Sequence, residues 1–185
     1  MNKIECRKKA HQILMSISKE EAGIKSLQLS KKLYSFISTE QSLTSNSVIG
    51  AFSPIQNEPL WFFEFAKLPQ QISLPHIKNE LEIDFYCVDF NSIKNQKIGL
   101  RLDKDYLKKI VKPDLLIIPG LAFGKNGERL GRGKGYYDRY LEHFKGLKIG
   151  ICFEDQILDK LPMDKFDQRM NIIITDKNIY EVKGI

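Results

Sequence analysis

Six of the chain's twelve glycines, Gly120, Gly124, Gly127, Gly131, Gly133 and Gly135, fall within sixteen residues. Glycine lets the backbone enter φ > 0 and lets a large group approach the main chain closely. The flanks say where this flexible stretch sits. Leu115-Leu116-Ile117-Ile118 has the length and composition of a buried strand. Pro119-Gly120 ends it, the first residue unable to donate to a ladder and the second free to turn. After Gly135 the apolar residues Tyr137, Tyr140, Leu141 and Phe144 recur at i, i+3, i+4 and i+7, the stripe of a helix. The unit is strand, glycine loop, helix.

Lys125, Arg129, Arg132 and Lys134 are interleaved with the glycines. Backbone N–H groups of such a loop, leading into a helix N-terminus, form a concave anion site, and phosphate is its natural guest. The plain alternative is a solvated basic surface loop. The strand-loop-helix context favours a ligand site, because open α/β sheets bind ligands at the carboxyl ends of their strands. Neither familiar phosphate fingerprint is present. Lys134 is followed by Gly135 rather than Ser or Thr, and the spacing G-x-G-x-G at 131, 133 and 135 is not that of a dinucleotide fold.

A chain of 185 residues, 42% hydrophobic, is expected to form one domain spanning residues 1–185 with a substantial core. The net charge of +6 suits anionic small ligands and by itself also permits weak nucleic-acid binding. Cys6, Cys87 and Cys152 are few, far apart and odd in number, which indicates neither a disulfide framework nor a zinc site. A reducing, cytoplasmic setting is expected. No run approaches 18 apolar residues and no cleavable leader is evident, so no membrane or secretion signal is read. A monomer is expected.

Asn2 and Glu5 form a capping pair for a helix from about Lys3 to Ile17, and Ser18 with Glu21 forms a second capping box for a helix to about Ser38. Val48 to Phe52, Ile72 to Leu74, Ile83 to Val88, Lys148 to Phe153 and Ile172 to Thr175 read as strands, with Ile179-Tyr180 at an edge. Trp61, Phe62, Phe63 and Phe65 read as a short helix, His76 as a loop residue, His143 as a cation suited to a helix end, and Asn91 to Val111 is weakly patterned. Alternating strands and helices after an N-terminal helical pair indicate an α/β fold, an open, mostly parallel sheet covered on both faces.

The run PGLAFGKNGERLGRGKGYYDRYL, residues 119 to 141, closely resembles the signature of the 5-formyltetrahydrofolate cyclo-ligases, also called methenyltetrahydrofolate synthetases. That resemblance implies a modified Rossmann-like three-layer α/β/α sandwich and an ATP-dependent closure of 5-formyltetrahydrofolate to 5,10-methenyltetrahydrofolate, with Mg²⁺. It also implies site residues. Lys3 and Arg7, one turn apart, would contact ATP phosphates. Arg129, Leu130, Gly131, Arg132, Gly133, Lys134, Gly135, Tyr136 and Tyr137 would line ATP. Of these, Arg132 to Tyr136 would also border the folate, with Arg132 and Lys134 stabilising the transferring phosphoryl group. Ser53 and Glu58, after the first strand, would hold the folate. Asp138 would bind the metal.

The second acidic metal position of the family corresponds to Asn171, with Asp167 close by as a carboxylate that could assist. Three places depart from the family pattern. Gly124 stands where an Asp is common, Pro59 and Leu60 follow Glu58, and Gly99-Leu100-Arg101 keeps only a trace of a further motif. Two other classes remain open on the residues alone. One is a sugar-phosphate or CoA-ester enzyme with the same loop. The other is an RNA-binding module stacking bases on Tyr136 and Tyr137, against which the lack of a wider basic stripe speaks.

Overall fold

A computed structural model of the chain describes residues 1–55, 57–89 and 109–183. Two helices come first, α1 (Lys3–Ser16) and α2 (Lys19–Thr39). Asn2 caps α1 as expected: its side chain accepts from the Glu5 amide at 3.0 Å, and Glu5 Oε2 accepts from the Asn2 amide at 2.9 Å. At α2 only half of the capping box forms. Ser18 Oγ accepts from the Glu21 amide, but the Glu21 carboxylate turns along the helix to Lys25 Nζ, 2.7 Å away.

Among the described residues ten strands follow: β1 (Val48–Gly50), β2 (Gln71–Ile77), β3 (Ile83–Cys87), β4 (Ile110–Val111), β5 (Leu115–Pro119), β6 (Ala122–Phe123), β7 (Arg129–Leu130), β8 (Leu147–Ile151), β9 (Ile172–Ile174) and β10 (Ile179–Glu181). Helix α3 (Tyr136–Glu142) lies between β7 and β8. Eight strands form one sheet in the order β10-β9-β8-β5-β1-β2-β3-β4. The middle of it, β9-β8-β5-β1-β2, is parallel, and both edges are antiparallel. Taken in chain order, the parallel strands run 2-1-3-4-5 across the sheet. The chain leaves β1 toward one side and reaches β5 on the other, so the loops after β1 and β5 diverge and leave a crevice at their carboxyl ends. Such switch points are where open α/β sheets bind ligands.

β5 reads as an unbroken apolar run because both of its faces are covered. Leu115 and Ile117 join Leu29, Leu33 and Ile37 of α2 in one core cluster, while Leu116 and Ile118 join Phe123 and Leu141 in another. A third cluster seats Cys6, Ala10 and Leu14 of α1 on Leu121, Ala122, Leu130 and Phe153. The two N-terminal helices thus serve different cores. α2 covers the sheet, and α1 packs on the β6–β7 hairpin that grows out of the glycine stretch.

Three local expectations are corrected. Trp61 to Phe63 are not helical. The Trp61 carbonyl and the Leu60 and Glu64 amides bond to the hydroxyls of Ser30 and Ser26 on α2, which takes the stretch's backbone groups away from one another; only a 3-10 turn, Phe65–Lys67, follows. His76 lies in β2, which continues through Pro75. Pairing of β2 with β1 ends at Ser73, so a missing N–H on that side breaks no ladder bond. The first strand stops at Gly50, two residues short of Phe52. The motif trace at Gly99-Leu100-Arg101 lies outside the described residues.

Candidate active site

The glycine segment leaves β5 at Pro119, makes the β6–β7 hairpin (Ala122 opposite Leu130, Phe123 opposite Arg129), then crosses the carboxyl edge of the sheet into α3. Gly133 and Gly135 both have positive φ, 99° and 71°, and Gly135 is the N-cap of α3. Their left-handed backbone turns the chain abruptly into the helix, a conformation that side chains with a Cβ rarely adopt.

From this turn Arg132 reaches the loop after β1. Its Nε and Nη2 donate to Glu58 Oε1 at 3.2 and 2.9 Å, while Glu58 Oε2 accepts from the Ile55 amide at 3.0 Å. Glu58 is 7% exposed, and burial holds its carboxyl above the usual carboxylate range, against the opposing pull of the Ile55 amide and the Arg132 charge. Ser53, also buried, lies on the same loop. Tyr137, in the first turn of α3, has a buried hydroxyl with no hydrogen-bond partner among the described residues. Burial drives that hydroxyl far above its ordinary range; Arg129 opposes the shift and Glu58 adds to it. A buried, unsatisfied hydroxyl costs about 1–3 kcal/mol, a cost that tends to persist where a ligand supplies the partner.

On the other side of the loop lies an open cavity of about 620 Å³, lined by Lys3, Arg7, Arg129, Leu130, Gly131, Gly133, Gly135 and Asp138 together with Asp164, Phe166 and Asp167. Arg7 Nε donates to the Gly131 carbonyl at 3.0 Å, which ties α1 to the glycine turn. Lys3 is paired with Asp164, 2.7 Å away, and with Asp167. Helix α1 and the loop, remote in sequence, therefore share one cavity; with Arg139 and Glu142, which also line it, four cationic side chains face four carboxylates there.

Asp138 and Asp167 both border this cavity. Among the described residues no three His, Cys, Asp or Glu side chains converge on one point. That donor set fits Mg²⁺, which takes one or two carboxylates and completes its octahedron with phosphate oxygens and water. It does not fit a cation caged entirely by protein.

Not every expected residue is brought here. Asn171 precedes β9 at the amino end of the parallel strands, the far edge from Asp138. Its Oδ1 accepts from the Lys148 amide at 2.9 Å, closing the start of β8, so the structure does not join it to Asp138. Asp167, not Asn171, stands in the same cavity as Asp138. Gly124 sits at the remote turn of the hairpin, beside Glu128. Tyr136 lies under the Arg139 guanidinium, 5.5 Å from it, and faces a separate groove of about 810 Å³ between α3 and the β3–β4 edge. Lys134 is exposed, with only its carbonyl engaged, by Arg139. Asp164 and Phe166 were not found from the sequence, because nothing in the segment between β8 and β9 marks them as distinct from solvated loop residues.

The family model described as the 5-formyltetrahydrofolate cyclo-ligase family matches residues 1–176. A 5-formyltetrahydrofolate cyclo-ligase of Mycoplasma pneumoniae is 31% identical over 183 residues, covering 96% of this chain and all of that protein. Among solved structures, a 5,10-methenyltetrahydrofolate synthetase from Mycoplasma pneumoniae superposes with a TM-score of 0.75 at 30% identity, over 95% of this chain and 99% of the other. The corresponding synthetase of Aquifex aeolicus gives 0.77 at 28% identity, over all of this chain and 95% of that one. With the family match running from the first helix through the last parallel strand, the chain belongs to the 5-formyltetrahydrofolate cyclo-ligase family.

Proposed function

We propose that this protein uses ATP to close 5-formyltetrahydrofolate to 5,10-methenyltetrahydrofolate, releasing ADP and phosphate. The observation that carries the reading is Arg132, which bonds to Glu58 on the folate side while its loop neighbours Gly131 and Gly133 wall the cavity on the other. One loop can thus serve two ligands, as a reaction between them requires.

The formyl oxygen is a poor leaving group. Its attack on the γ-phosphorus expels ADP and makes it an imidate phosphate; N10 then adds to the formyl carbon, the C–O bond breaks, phosphate leaves, and the N10 proton passes to phosphate or water. Phosphoryl transfer is catalysed chiefly by positioning and charge stabilisation. Lys3 and Arg7 would hold the outer phosphates from α1, and the amides of Gly131 to Tyr137 would receive them from the loop. Arg132 and Lys134 would meet the charge of the group in transfer. Glu58, with Ser53 beside it, would accept the N–H donors of the pterin, and the unpartnered Tyr137 hydroxyl would bond at the junction.

Asp138 and Asp167 would hold Mg²⁺, which when bound offsets phosphate charge. Cys6, Cys87 and Cys152 are all buried, and the reading includes a reducing, cytoplasmic setting. The test is ATP-dependent appearance of the methenyl chromophore from 5-formyltetrahydrofolate. No chromophore with both substrates and Mg²⁺ present would reject the reading.

A further inference from the structure

The resemblance places Arg129 among the residues that touch ATP, yet both of its terminal guanidinium nitrogens are already engaged, and its Nε is buried with no hydrogen-bond partner among the described residues. The side chain is 4% exposed. Nη1 donates to the Pro119 carbonyl at 3.1 Å, Nη2 donates to Asp138 Oδ1 at 2.8 Å, and the group lies 5.5 Å from the centre of the Tyr137 ring. Gly131 makes the space for it, since a Cβ there would stand 3.1 Å from Nη1. Reaching a phosphate would strip a buried charge of its carboxylate, a step that costs several kcal/mol when the partner is lost.

The geometry points to Arg129 as a positioning residue that acts through Asp138. It occupies Oδ1 and fixes the side chain, which leaves Oδ2 free of Arg129 in a residue that borders the cavity. Its second anchor, the carbonyl of Pro119, belongs to the last residue of β5, so the carboxylate is referenced to a strand whose other four residues are buried rather than to the loop. This is the arrangement expected of a group that orients a metal ligand from behind, where substitution typically weakens metal affinity about 10–100-fold. The inference rests on the ATP reading above.

It is tested by calorimetric binding of a non-hydrolysable ATP analogue, with Mg²⁺ and with a chelator, to the wild type, Arg129→Lys, Asp138→Asn and the double variant. Expected is a loss of about 10–100-fold for Arg129→Lys in the magnesium arm, little change in the metal-free arm, and little further loss when the lysine is added to Asp138→Asn. Equal losses in both arms would mean a direct phosphate contact and overturn the inference. So would a lowered melting temperature with the magnesium dependence intact. Should the lysine variant not fold, Arg129→Gln, which keeps one donor toward Asp138, is read by the same two arms. A wild type that binds the analogue in neither arm would reject the ATP reading itself, a separate outcome.

Discussion

Glu58 is a carboxyl group whose charged form is disfavoured by burial. Its pKa is raised mainly by burial, so the folded protein binds its proton more tightly than the unfolded chain does. A raised carboxylate contributes stability below its unfolded value, near 4.5, and loses that contribution as pH climbs through the folded value. Glu58→Gln, free of the charge, should therefore gain in melting temperature relative to wild type as pH rises from about 4.5 toward neutrality, while KM for the folate rises more than KM for ATP. A melting temperature below wild type at neutral pH would mean the Arg132 pair outweighs the burial penalty. Tyr137→Phe makes the companion case. Removing an unsatisfied buried hydroxyl should leave the protein as stable or about 1 kcal/mol more stable, with turnover reduced; unchanged turnover would show that the hydroxyl meets no ligand. Lys134 is exposed, so Lys134→Ala should keep the melting temperature and lower kcat/KM by about 10²–10³-fold, the loss typical of a removed transition-state donor. Near-normal kcat/KM would remove it from the reaction.

Helix α1 has little packing of its own against the sheet and works as a strut between the two ligand loops. Arg7 bonds to the glycine turn, and Asn57, next to Glu58, donates to the Leu14 carbonyl at 2.9 Å. Leu14→Ala, in the small cluster beneath, should destabilise by about 2–5 kcal/mol and weaken ATP binding as Lys3 and Arg7 lose their platform. Destabilisation with full ATP affinity would show that the strut is dispensable. Much of this layer was legible beforehand. The Asn2 and Ser18 caps, the apolar run of β5 and the helix after Gly135 are local patterns that formed where expected, although the Ser18 box is only half made and α3 ends at Glu142, two residues short of Phe144. The hairpin inside the glycine stretch was not, because two-residue strands are too short to show a period. The aromatic run failed as a helix because serines of α2 bind its backbone, a contact that no local propensity contains.

Across the molecule, Arg132 stands between two loops that leave neighbouring strands in opposite directions. The folate must compete with it for Glu58: Oε1 already accepts two bonds from Arg132, so a pterin donor pair can use both carboxylate oxygens only if the guanidinium shifts toward phosphate. Nucleotide and folate should therefore strengthen each other's binding, each by the same factor, in the usual range of about 5–150-fold. Calorimetry of each ligand with and without the other checks it, and independent affinities would show that Arg132 does not change partners.

The residue types and spacings alone determined the parallel α/β class, the glycine loop as a candidate anion site, and, through its resemblance, the family with Lys3, Arg7, Glu58 and Asp138 as its candidates. Those are one-dimensional signals, written in periodicity and in a contiguous motif. Which of them meet was decided only in three dimensions. The crossover order puts the loops after β1 and β5 side by side, so Arg132 finds Glu58; strand direction sends Asn171 to the opposite end of the sheet from Asp138; and the return to β9 carries Asp164 and Asp167 to Lys3. Pairings across 74 and 164 residues depend on topology and burial, which no local pattern encodes.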